Sequence, residues 1–123
     1  MARFVLDTTV LVDHLRGKVE ATAWLLGLDE VPLCSEVSRA EVLVGVRTTE
    51  RRTVEVLFDT VDWVPVNEAV ARRAGDLGRR YRRSHHLGIA DLLVAATVQE
   101  HKGRLATSNL KHYPMFARLA RPY

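Results

Sequence analysis

The sequence lacks the features of a secreted or membrane-bound protein. It has a single cysteine, Cys34, so an internal disulfide is excluded and a reducing compartment is expected. A membrane-spanning helix needs about 20 predominantly apolar residues in a row, and the sequence has no such run. The first residues, MARFVLDTTVLVDHL, are unlike a signal peptide because Asp7 and Asp13 interrupt the apolar stretch. We therefore expect a cytoplasmic protein with no membrane partner.

A length of 123 residues, 47% of them hydrophobic, suits one domain with its own core, and we predict a single domain over residues 1–123. The net charge is only +3, but the arginines are clustered. Six of them lie within twelve residues: Arg72, Arg73, Arg79, Arg80, Arg82 and Arg83. Such a cluster suits a polyanion such as nucleic acid. A solvated helix face that carries salt bridges explains it equally well.

Short apolar segments alternate with helix-periodic ones. We predict strands at 3–7, 31–35, 63–66 and 104–108, with the tail 116–123 as an edge strand. Helices are predicted from a cap at Thr8 or Thr9 to a stop at Gly17, and over 19–28, 36–46, 50–61, 68–83 after a cap at Asn67, and from Ile89 onward. The alternation predicts an α/β fold with a mainly parallel sheet. In such sheets, binding sites form beyond the carboxyl ends of the strands.

Three carboxylates fall near these strand ends. Asp7 directly follows the first predicted strand, Glu41 lies early in the helix after the second, and Asp91 lies in the first turn of its helix. Each has an ordinary structural explanation. Asp7 could cap the first helix, Glu41 could form a capping box with Ser38, and Asp91 could favour the positive end of its helix. These explanations predict exposed side chains, whereas Glu41 and Asp91 lie within apolar runs.

Carboxylates that converge repel each other, and either a shared proton or a divalent ion resolves the conflict. Mg²⁺ and Mn²⁺ prefer oxygen ligands. Zinc fits less well, because the lone cysteine and the adjacent His85 and His86 lack a usual zinc spacing. A metal would also reconcile an acidic site with an anionic partner, since it neutralises the acids and binds phosphate oxygens.

Four segments carry a family resemblance: FVLDTTVLVD, SEVSRAEVLVGV, HHLGIADLLVAATVQEH and LATSNLKHYPMF. In this order and spacing they resemble VapC-type toxins of the PIN-domain ribonuclease family, over essentially the whole chain. The resemblance implies a three-layer α/β/α sandwich. It implies a Mg²⁺- or Mn²⁺-dependent endoribonuclease that cuts tRNA or ribosomal RNA. It also implies a homodimer and a cognate VapB-type antitoxin protein.

The resemblance also assigns roles by position. Asp7 and Asp91 match direct metal ligands, and Glu41 matches the third catalytic acid, which binds metal directly or through water. Three polar residues match positions that support the site: Thr9, Thr107 and Asn109. Many members carry a fourth acid after the last strand, where this chain has Asn109 and His112. This departure predicts one ion held by the protein, with a second arriving together with the substrate.

Binding of the RNA backbone is assigned to four arginines: Arg79, Arg80, Arg82 and Arg83. Two other functions compete with the nuclease. A phosphoacceptor receiver domain would use Asp59, after the segment VEVLF, although that segment is helix-periodic. A non-catalytic member of the same fold would act as an RNA-binding or interaction module.

Overall fold

One parallel sheet organises the protein. The computed structural model describes residues 2–123, apart from the side chains of Arg82 and Arg83. The strands of the sheet are β1 (Phe4–Leu6), β2 (Leu33–Ser35), β3 (Asp62–Val64) and β4 (Arg104–Ala106). Their order is β3-β2-β1-β4, and each neighbouring pair is parallel. The predicted parallel α/β sheet is therefore confirmed.

Helices cover both faces of this sheet. They are α1 (Thr8–Leu15), α2 (Val19–Leu26), α3 (Glu36–Gly45), α4 (Arg51–Phe58), α5 (Glu68–His85) and α6 (Ile89–Glu100). Successive side chains of a strand point to opposite faces. Accordingly, Val5 packs in a core with residues of α5 and α6, while Leu6 packs in a second core with residues of α1 and α4. Two cores on either side of one sheet give the expected three-layer sandwich.

Several predicted boundaries were wrong. Asp7, not Thr8 or Thr9, caps α1, because its carboxylate accepts from the Thr8 amide. The capping box of Ser38 and Glu41 is wrong as well, since Ser35 caps α3 and Ser38 lies inside the helix. The strands are three residues long, because the outer residues of each apolar segment do not join the ladder.

The C-terminal tail was also predicted wrongly. Residues 116–123 form turns and irregular structure rather than an edge strand. The Tyr123 hydroxyl donates to Asp13 over 2.6 Å, and its ring lies 6.2 Å from that of Trp24. The tail therefore packs back onto α1 and α2 through one terminal side chain.

Asp59 directly follows the helix α4 and not a strand. This excludes the receiver-domain alternative, which requires its acceptor at the end of a strand. Among the helices of residues 2–123, none has both the length and the apolar character that crossing a bilayer requires.

Candidate active site

Asp7 is the centre of the candidate site. It follows β1 directly and is 4% exposed. Four donors surround its carboxylate. The Thr8 amide and the Tyr113 hydroxyl reach Oδ1 over 2.9 and 2.8 Å, and the Thr9 and Thr107 hydroxyls reach Oδ2 over 2.9 and 2.7 Å. These four hydrogen bonds hold the Asp7 carboxylate in one orientation.

The loop after β4 fixes the direction of two of these donors. The amide of Ser108 donates to the Thr9 hydroxyl oxygen over 3.2 Å, and the amide of Asn109 donates to that of Thr107 over 2.9 Å. Each threonine thus accepts from the backbone and can direct its own proton to Asp7. Asn109 takes part here through its backbone; a role for its side chain stays a prediction.

Asp91 lies close to Asp7, at the start of α6. The buried residues Leu92, Val94 and Ala95 hold the first turns of this helix against the core. The Asp91 Oδ1 atom is 3.5 Å from the Tyr113 hydroxyl, and its Oδ2 atom is 3.0 Å from Nδ1 of His112. Because β1 and α6 place their ends at one edge of the sheet, one tyrosine hydroxyl faces both acids.

The electrostatics of this pair follow from burial. Desolvation raises the pKa of Asp91 above its ordinary value and the charge of Asp7 adds to this, while His112 opposes it. Burial, and then the charge of Asp7, raises the pKa of Tyr113 well above its ordinary value. The tyrosine therefore remains a hydrogen-bond donor at all ordinary pH values, and two like charges lie close together in a partly buried place.

Glu41 is connected to this pair through Thr8. The Thr8 hydroxyl is 2.6 Å from Glu41 Oε1 and 2.9 Å from the hydroxyl of the buried Ser38. Thr8 is the donor in both contacts, so its one proton lies between the Glu41 carboxylate and the Ser38 hydroxyl oxygen. Glu41 is exposed, contrary to what its apolar surroundings in the sequence indicated.

The oxygen-rich donor set fits a small divalent cation. Among residues 2–123, no three side chains of the His, Cys, Asp or Glu type lie close enough together to form a complete ligand set. Mg²⁺ does not require one, since it is usually held by one or two carboxylates and keeps several waters. Asp7 and Asp91 supply two carboxylates, one on either side of the Tyr113 hydroxyl. Glu41 is a third carboxylate, connected to Asp7 through Thr8.

The arginine-rich part of α5 runs toward the Asp91 end of α6. Arg73 contacts Glu100 at the far end of α6, whereas a Cβ atom at Gly78 would lie 3.1 Å from Leu92. The two helices are therefore antiparallel, and the segment that contains Arg79 and Arg80 is the one nearer the acids. Both arginines are exposed, and Arg79 is paired with Asp76. The predictions for Arg82 and Arg83 concern side chains outside the described residues.

Sequence reasoning missed Thr8 and Tyr113 as parts of the site. Thr8 adjoins Asp7, so its proximity could have been anticipated, but its bond to Glu41 depends on how α1 packs on α3. Tyr113 is 1% exposed, and nothing in the sequence distinguishes it from an ordinary aromatic residue of the core. Its hydroxyl acquires two acidic neighbours from the path of the loop after β4.

The chain matches the family model described as "PIN domain" over residues 4–121. It is 47% identical over 122 residues to Ribonuclease VapC10 of Mycobacterium tuberculosis, covering 97% of this chain and 92% of that protein. It is 43% identical over 123 residues to Ribonuclease VapC19 of the same organism, covering 97% and 98%. A toxin–antitoxin complex from Klebsiella pneumoniae contains a chain of TM-score 0.81 and 27% identity, with 97% of both chains covered. The DNA-bound VapBC structure from Salmonella typhimurium shares the fold, with a TM-score of 0.79 at 18% identity over 92% of this chain and 91% of that one.

Proposed function

The chain belongs to the PIN domain family, and from that premise we propose that it is the toxin component of a toxin–antitoxin pair and an endoribonuclease. It hydrolyses phosphodiester bonds of RNA, with tRNA or ribosomal RNA as the substrate class. Two relatives above 40% identity carry the name ribonuclease. The observation that carries the proposal is the convergence of Asp7 and Asp91 on one hydroxyl at the carboxyl edge of the sheet.

The cofactor of this proposal is Mg²⁺ or Mn²⁺, held by Asp7 and Asp91. When bound, such an ion lowers the pKa of a coordinated water and neutralises charge on a phosphate. Asp7 is fixed in direction by its hydrogen bonds, and Thr8 orients Glu41 toward the same region. Glu41 is exposed enough to meet the RNA and to accept a proton from the attacking water.

The RNA backbone would be held by the exposed arginines at the end of α5, with Arg79 and Arg80 as the described members. Contacts of this kind position a nucleic acid without reading its sequence. Arg79 already has a partner in Asp76, but an exposed pair of this type is weak and exchanges readily for a phosphate.

The antitoxin partner would be a VapB-type protein, which docks in an apolar groove. Two of the solved structures similar to this chain are toxin–antitoxin assemblies. A groove of about 660 Å³ lies between α2 and α4 and is lined in part by Leu25, Leu26, Val56 and Val61. Leu26 is 82% exposed. Grooves of this shape suit the apolar face of a partner helix.

A homodimer would use a different face, around Leu43 and Val44 on α3. Val44 is 88% exposed, and Leu43 beside it is also exposed. These exposed apolar side chains on α3 are the support for placing the dimer contact there. A cytoplasmic location stays a prediction and follows from the RNA substrate.

Expression of the protein followed by sequencing of RNA 5′ ends tests the proposal. New 5′ ends should appear with the wild type, disappear with Asp7→Asn, and persist with Asp29→Asn, which makes the same change at an exposed loop residue. A non-catalytic RNA-binding module would give the same 5′ ends with all three proteins, and that result would reject the nuclease.

A further inference from the structure

The Asp7 carboxylate has no acceptor position left. A carboxylate offers about four lone-pair sites, and four donors within 2.9 Å occupy them. A cation that binds Asp7 must therefore take the place of one of these donors. The position of the bound ion depends on which of the four hydrogen bonds it replaces.

Three of the four donors are fixed by the backbone. The Thr8 donor is itself an amide at the start of α1. The Thr9 and Thr107 hydroxyls are oriented by the amides of Ser108 and Asn109. Among the hydrogen bonds of the described residues, none joins these three donors to Asp91.

The fourth donor, the Tyr113 hydroxyl, differs from the others. It is 2.8 Å from Asp7 Oδ1 and 3.5 Å from Asp91 Oδ1, so it lies between the two carboxylates. It has one proton, which goes to the nearer acid, Asp7. A cation shared by Asp7 and Asp91 would bind beside this hydroxyl oxygen and compete with its proton for the Asp7 carboxylate.

We propose that Tyr113 is a positioning residue that competes with a divalent ion for Asp7 Oδ1, so that the ion binds by replacing the Tyr113 hydrogen bond on that oxygen. The inference rests on the proposed metal site and adds a regulator of ion affinity to it. The ring is buried, so the hydroxyl yields by turning its proton away from Asp7. Without the hydroxyl, no proton lies between the carboxylates of Asp7 and Asp91. The ion can then bind Asp7 Oδ1 without displacing a hydrogen bond.

Calorimetric titration of Mg²⁺ and Mn²⁺ into the purified protein, without RNA, tests the inference. The loss of one charge-assisted hydrogen bond should tighten ion binding to Tyr113→Phe by about tenfold. Thr107→Val is the matched control, because it removes one donor from the other oxygen of the same carboxylate. It should bind the ion no more tightly than the wild type, since outer hydrogen bonds of this kind support a ligand's orientation.

Thermal melting gives a second readout that does not depend on catalysis. The ion should raise the melting temperature of Tyr113→Phe by more than that of the wild type. Equal or weaker ion binding by Tyr113→Phe, or equal tightening in Thr107→Val, would overturn the role of Tyr113 while the metal site stands. The absence of binding heat in the wild type itself would reject the metal site, and this inference with it.

Discussion

The hydroxyl of Thr8 on α1 lies 2.6 Å from the Glu41 carboxylate on α3, with the buried Ser38 behind it. Thr8 thus holds the Glu41 carboxylate through its hydroxyl and the Asp7 carboxylate through its amide. The spacing between the acids is therefore set by one residue that binds both.

Thr8→Val should lower the rate of RNA cleavage by about tenfold, because a hydrogen bond to a charged group contributes roughly 1.5–3 kcal/mol. Thr8→Ser retains the hydroxyl and should restore most of the rate. Single-turnover cleavage at saturating Mg²⁺ measures both variants. Equal rates for valine and serine would mean that Glu41 needs no support from Thr8.

Replacement of Arg79 and Arg80 by glutamine should weaken RNA binding and flatten its salt dependence. Each phosphate contact contributes about 0.7–0.9 to the slope of log affinity against log salt, so the slope should fall by about 1.5. The measurement uses Asp7→Asn protein, which leaves the RNA intact. The control pair, Arg72→Gln with Lys102→Gln, removes two exposed charges near the opposite end of α6. An unchanged slope in the first pair would exclude these arginines from the RNA interface.

Mutations in the two exposed apolar surfaces should affect antitoxin binding and dimerisation independently. Leu26→Glu puts a charge in the groove between α2 and α4, and it should abolish binding of the antitoxin while the dimer persists. Val44→Glu should have the opposite effect, because it lies on α3 away from the groove lining. Co-purification with the antitoxin and light scattering measure the two properties. Loss of both properties in each variant would indicate a single shared interface.

Cys34 should be chemically inert in the folded protein. It is fully buried, and burial raises the pKa of its thiol from 9.0 to about 12. The thiolate is the reactive form, so a thiol reagent at pH 8 should label Cys34 only as fast as the protein unfolds. Fast labelling that is independent of denaturant would contradict the buried position.

The same shift has a consequence for alkaline stability. A group whose pKa is raised by folding stabilises the folded state below its unfolded pKa, and this contribution is lost as the pH rises through the folded value. Between pH 9 and about 12, Cys34→Ala should therefore lose less stability than the wild type. Denaturant unfolding curves across this range measure the difference.

The sequence was sufficient for the order of elements and for the positions of Asp7, directly after β1, and Asp91, in the first turn of α6. Helix periodicity identified α4, whose Val54, Leu57 and Phe58 are buried, and the strand ends located the two acids. These predictions succeed because they depend on neighbours in the chain.

The roles of Tyr113 and Tyr123 could not be predicted in the same way. The Tyr113 hydroxyl meets a carboxylate 106 residues away, and Tyr123 meets one 110 residues away. Such pairs are set by how loops pack on the finished sheet. The tail 116–123 was wrongly predicted as a strand, because its local sequence does not indicate which distant residues it contacts.

If Asp7 and Asp91 hold the divalent ion with which this protein cuts RNA, cleavage must depend on both the ion and the Asp91 carboxylate. Cleavage of purified tRNA is measured with the wild type and with Asp91→Asn, after chelation and then during titration with Mg²⁺. We expect no cleavage after chelation, recovery with Mg²⁺ in the wild type, and none in Asp91→Asn although that protein remains folded. Cleavage that persists in the chelator, or that Mg²⁺ restores equally in both proteins, would reject this metal site.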